Sequence, residues 1–71
     1  MIRIEKAIEL KNGIIVSIQR SKHHYCNDDT YEVAAWMDGD RDFIRLGDDD
    51  DVIGYQTDKE VLAIIFKLNK I

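Results

Sequence analysis

Apolar and polar residues alternate along much of this chain. In IIVSIQR, residues 14–20, Ile14, Val16 and Ile18 fall on one side, and Ile15, Ser17 and Gln19 on the other. A period of two is the period of a strand. TYEVAAWM, residues 30–37, repeats it, with Tyr31, Val33, Ala35 and Met37 opposite Thr30, Glu32, Ala34 and Trp36. The β-branched and aromatic content of this stretch favours an extended chain. Ile2, Ile4, Ile8 and Leu10 are also evenly spaced between charges. Lys6 and Ala7 interrupt that pattern, so residues 2–10 read as a strand with a helical start as the alternative. Lys11-Asn12-Gly13 and Asp38-Gly39 supply turns, because Asn and Gly accept the positive φ that tight hairpins need. DRDFIRL, residues 40–46, continues as a third or fourth strand, which Gly47 and the aspartates at 48–51 end. Val52-Ile53-Gly54-Tyr55 is either a brief strand or an apolar lead into a helix.

The period then changes. Val61, Leu62, Ile65, Phe66 and Leu68, widened by Ile64, form a broad stripe at helical spacing. Thr57-Asp58-Lys59-Glu60 matches a capping box, in which Thr57 and Glu60 each satisfy a backbone N–H of the first turn. Asp58 and Glu60 suit the positive end of the helix dipole, and Lys67 and Lys70 the negative end. A helix over residues 58–69 is predicted. The expected architecture is α+β: a small antiparallel β-meander of three to four strands with one C-terminal helix packed on one face. The helix is expected to cover Val16, Ile18, Val33, Ala35 and Phe43. The other face, with Ile15 and Trp36, is left partly open.

Length limits this picture to one domain, residues 1–71. A domain this small is only marginally stable alone, and one cysteine, Cys26, rules out an internal disulfide. A lone Cys and an N-terminus without an apolar targeting segment point to the reducing cytoplasm. No stretch approaches the roughly 18 apolar residues of a membrane span. Charge changes the picture further. The net charge is −4, yet residues 27–60 alone carry −9. Such a block is either a solvated surface or an attraction for something basic.

Three chemistries compete for these residues. Asp28, Asp29, Asp38, Asp40, Asp42 and Asp48, Asp49, Asp50 and Asp51 all fall in expected connections or hairpin tips. Clustered, they would form an acidic edge that imitates nucleic-acid phosphate and engages a basic groove on another protein. Trp36 and Tyr55 are aromatic anchors of the kind that centre protein interfaces, though both also suit a core. Arg20, Lys22 and His23 offer a second site, for a nucleotide-like ligand, in an oligomeric module whose second copy covers the open sheet face. Duplex nucleic acid is not expected, since that affinity comes from many neutralised phosphates. A third reading places a divalent cation on Asp38, Asp40 and Asp42, which have the first three spacings of an EF-hand loop. That match then fails, with Phe43 where Gly belongs and Asp49 where Glu belongs. His23, His24 and Cys26 have zinc-ligand chemistry but no fourth ligand of their kind. No cofactor, no metal and no catalytic residue is assigned.

YCNDDTYEVAAW (residues 25–36) and DDVIGYQTDKEVLAII (residues 50–65) together look familiar. A Tyr-containing turn, a Thr-aromatic-Glu-Val-Ala strand and Asp-Val-x-Gly-Tyr-x-Thr before an acidic-started helix resemble small accessory proteins encoded by bacteriophages. The likeness covers about half the chain, and the usual form is more Gly-rich where this chain has KHHYCN. It implies a viral protein in the cytoplasm of a bacterial host. Small acidic phage proteins often bind and block host proteins, including defence nucleases, so the resemblance implies an inhibitor, with a DNA mimic as one form. The expected function is therefore non-enzymatic: protein–protein interaction that blocks a basic host surface, with Asp28, Asp40 and Asp48 to Asp51 steering and Trp36 or Tyr55 central.

Overall fold

The alternating stretches pair into one antiparallel sheet. In the computed structural model, which describes residues 2–39, 43–44, 46 and 52–71, the order is β1 (Ile4–Glu9), β2 (Ile14–Arg20), β3 (Tyr31–Met37), β4 (Phe43–Ile44), β5 (Val52–Gln56) and α1 (Asp58–Leu68). β1 pairs with β2 and β2 with β3; β4 and β5 both pair with the far edge of β3. The N-terminal segment is thus a strand, and so is Val52–Gln56. The expected meander is present, with its last strand in two pieces. Ile44 faces Ala35, and Val52 faces the neighbouring Ala34, so the two pieces meet β3 at adjacent register positions.

One face of the sheet makes the core. Ile14, Val16, Val33 and Ala35 are fully buried, and Ile18, Val61 and Leu68 nearly so. The register explains this set: Ile8 faces Val16, Val16 faces Ala35 and Ile18 faces Val33, so their side chains share one side. Phe43 does not belong to it. It pairs with Trp36 and lies on the opposite face, and Ile44 takes the core side against Ala35. The expectation that the helix covers Phe43 is therefore corrected by one residue of register, which exchanges the faces.

The helix begins as its capping box dictates. The Glu60 N–H donates to Thr57 Oγ1 at 3.3 Å, and the Thr57 N–H donates to Glu60 Oε1 at 3.1 Å. Val61 and Leu68 are buried, whereas Leu62 and Phe66, part of the sequence stripe, are exposed. The sheet is too narrow to cover so wide a stripe. Asn12 ties the far end of the helix to the first hairpin: its Oδ1 accepts from the Ile14 N–H, and its Nδ2 donates to the carbonyls of Leu68 and Ile71.

Candidate functional site

The open face is set by the same alternation that builds the core. Its residues are Ile15, Ser17 and Gln19 of β2, Glu32, Ala34 and Trp36 of β3, Phe43 of β4 and Val52 of β5. Among the described residues, no helix lies on this side. A shallow hollow of about 550 Å³ opens there, lined at one end by Trp36 and Phe43 and at the other by Gln19, Glu32 and His24. Between them the floor is Ser17 opposite Ala34, two small residues in register.

The aromatic end is a defined pair. The Trp36 and Phe43 rings meet edge to face, with centroids 5.6 Å apart and planes at 67°. This is the arrangement that ring quadrupoles favour. Phe43 is nearly half exposed, so the pair offers apolar surface to solvent. The polar end is held by the loop over residues 21–30. Tyr25 N–H donates to Glu32 Oε2 at 2.8 Å. Gln19 Nε2 donates to Ser17 Oγ at 2.9 Å. His24 Nδ1 lies 2.6 Å from Oγ of the buried Ser21. Among the described residues, Glu32 Oε1 and Gln19 Oε1 take no hydrogen bond, and both belong to the rim of the hollow.

The loop itself is clamped at several points. Asn27 N–H donates to Thr30 Oγ1, and Thr30 Oγ1 donates to Asn27 Oδ1. Cys26 Sγ donates to the Ser21 carbonyl, which places the thiol in loop structure. Tyr25 lies against β5, where the Tyr55 N–H donates to the Tyr25 carbonyl at 2.8 Å. There β5 carries a bulge, and Tyr55 adopts a φ of +55°.

The residues singled out by sequence are placed unevenly. Trp36 lines the hollow; Tyr55 is exposed and does not. Asp28 and Asp29 precede β3 and Asp38 follows it, so they lie at opposite ends of a strand of seven residues, roughly 20 Å at the usual rise. Asp40, Asp42 and Asp48 to Asp51 lie outside the described residues. Phe43 and Val52, described residues on the two sides of that acidic run, both line the hollow. Arg20 is engaged on the helix side: its Nε donates to the Thr30 carbonyl, and its guanidinium stands 4.2 Å above the Tyr31 ring. Lys22 and His23 line a separate hollow of about 260 Å³ with Arg3 and Ser21. No three His, Cys, Asp or Glu side chains converge among the described residues.

Sequence reading missed Ser17, Gln19, Glu32 and Ala34 as site residues. The signal was present, because the alternation had put all of them on the side of Trp36. A third hollow, about 410 Å³ and mostly apolar, runs between β1 and α1 past Lys6, Tyr31, Asp58 and Leu62. There the neighbouring Asp58 carboxylate pushes the ionisation of the Tyr31 phenol above the usual range; burial adds to this and the Arg20 charge opposes it. No helix among the described residues is long and apolar enough to cross a membrane. The chain matches no family model, no curated protein and no solved structure.

Proposed function

We propose that this chain is a non-enzymatic binding protein that occupies a basic surface of another protein with its open sheet face. One observation carries the reading. The half-buried Trp36 and the exposed Phe43 share a hollow with Val52, and Phe43 and Val52 bracket the acidic run in sequence. Aromatic anchors supply burial at an interface, and surrounding charge supplies steering and register. The resemblance to phage-encoded accessory proteins supports a bacterial host protein as the partner, one whose groove ordinarily holds nucleic acid. Blocking such a groove needs no catalysis, only complementary charge and a fitted contact.

The test is capture of host proteins on a tagged copy, with washes at low and high salt. A partner held at low salt is released at high salt, because exposed charges more than a Debye length apart are screened. Trp36→Ala weakens that same complex by about 2 kcal/mol, the scale of an aromatic interface anchor. Asn in place of Asp48, Asp49, Asp50 and Asp51 weakens it too and removes most of its salt dependence. A complex of unchanged affinity in both variants sinks the proposal.

A second reading is favoured by the small hollow lined by Arg3, Ser21, Lys22 and His23. Its chemistry suits the phosphate of a nucleotide, with Arg20 outside the site. A ligand that binds only the folded state raises the melting temperature. Millimolar nucleotide that raises it in the wild type but not in Lys22→Ala would favour this reading over the first.

A further inference from the structure

We infer that the hollow on the open face is a receptor for a single arginine side chain of the partner. This inference rests on the proposed basic-partner reading and gives it a definite contact. The shape of the hollow is the first argument. Glu32, Ala34 and Trp36 follow one another on the same side of β3, with Gln19, Ser17 and Ile15 opposite them in register. Glu32 and Trp36 stand four residues apart, about 13 Å along the strand. Ala34 and Ser17 keep the floor between them low. A long, thin side chain can therefore lie along the trough with its polar head at one end and its backbone at the other.

Chemistry sets the direction. The aromatic end, Trp36 and Phe43, suits the backbone and first methylenes of an incoming segment. The opposite end presents two acceptor oxygens, Glu32 Oε1 and Gln19 Oε1, that take no hydrogen bond from the described residues. A guanidinium has a planar fork of donors that two neighbouring acceptors can satisfy together; an ammonium has no such fork. Glu32 is also held in place, because Tyr25 N–H bonds its other oxygen. A carboxylate fixed in this way spends less entropy on binding than a free surface glutamate.

Trp36 is the only tryptophan in the chain, so its fluorescence reports on the trough directly. The probes are acetyl-Ala-Arg-Ala-amide, the same peptide with citrulline, which is isosteric and neutral, and the same peptide with lysine. The arginine peptide is expected to change Trp36 emission saturably. Citrulline and lysine should each bind at least about tenfold more weakly, the scale of a lost charge-assisted bidentate contact. Glu32→Gln should weaken the arginine peptide to the level of citrulline while keeping the acceptor for Tyr25 N–H. Ala34→Leu should fill the floor and remove the response without touching any charge. Equal responses to arginine and citrulline, or an unchanged affinity in Glu32→Gln, overturn the inference. An oligo-arginine peptide separates the two levels of the argument. If it binds wild type and Glu32→Gln equally, the trough is not the arginine site and the basic-partner reading stands. If neither it nor the tripeptide binds, both fall.

Discussion

A methyl group at Gly54 would sit 2.6 Å from Cβ and 2.7 Å from the carbonyl oxygen of Tyr25. The second of these contacts is backbone and cannot swing away. Gly54→Ala is therefore expected to push the 21–30 loop off β5, break the Tyr55–Tyr25 hydrogen bond and lower the melting temperature, with faster amide exchange at Tyr55. Its neighbour Tyr55 tests the same bulge from the other side. A non-glycine residue in the left-handed region costs about 1 kcal/mol, and Asn bears it better. Tyr55→Asn should thus leave the fold intact and slightly stabilise it by urea denaturation. In the core, Ile14 is fully buried, and Ile14→Ala should cost about 2–5 kcal/mol, a large share of what so small a domain has. Tyr31 gives a pH signature. Asp58 holds its phenol neutral to higher pH than the usual value of about 10. The unfolded chain ionises first, so stability is retained below about pH 10 and falls as pH rises towards the folded value. An ultraviolet titration of wild type against Tyr31→Phe should show one phenol ionising late, and the variant should lose this part of the alkaline destabilisation.

Elements were legible wherever a period ran long enough to fix its own phase. The strands over 14–20 and 30–37 and the helix after Thr57 each carry enough turns of their pattern to declare an inward side; the structure buries the centre of each strand's side, and of the helix stripe Val61 and Leu68. Thr57→Ala should cost about 1 kcal/mol through the lost cap, read as a lower denaturation midpoint with unchanged slope. Phe43 was not legible, because a strand of two residues has no phase of its own. Its face depends on how far the preceding turn advances the chain against Trp36, which composition does not state. The exposure of Leu62 and Phe66 was hidden for another reason: a helix shows how much it could bury, and only the sheet beneath decides how much it does. β1 is an edge strand of the sheet among the described residues. Leu10 N–H bonds the Ile14 carbonyl, and alternate pairing then turns the backbone groups of Glu5, Ala7 and Glu9 outward. Lys6 and the glutamates make this open row a poor template for a second strand. Lys6→Val should promote association with rising concentration, seen by sedimentation beside the wild type.

At the scale of the whole molecule, the two faces divide the work. The helix side spends its apolar residues on cohesion. The other side keeps Trp36 and Phe43 at its surface, beside Glu32, Gln19 and His24. The candidate site was only partly legible for this reason: Trp36 stood out by type, whereas Ser17 and Ala34 matter through being small and opposite each other, a property of register. Charge was legible as a block, and the separation of Asp28 and Asp29 from Asp38 by the length of β3 was not. The break in the fourth strand completes the picture. Ile44 and Val52 face neighbouring residues of β3, so both ends of the intervening stretch are anchored by pairing that does not depend on its contents. Doubling its length with Gly and Ser should cost only about 0.6 kcal/mol, measurable by denaturation. The stretch after Leu46, which itself packs against the core, can then be rewritten, lengthened or exchanged while the pairing of Ile44 and Val52 with β3 is kept. Under the proposed binding role, such a seam is where new specificity can be tried at little risk to folding.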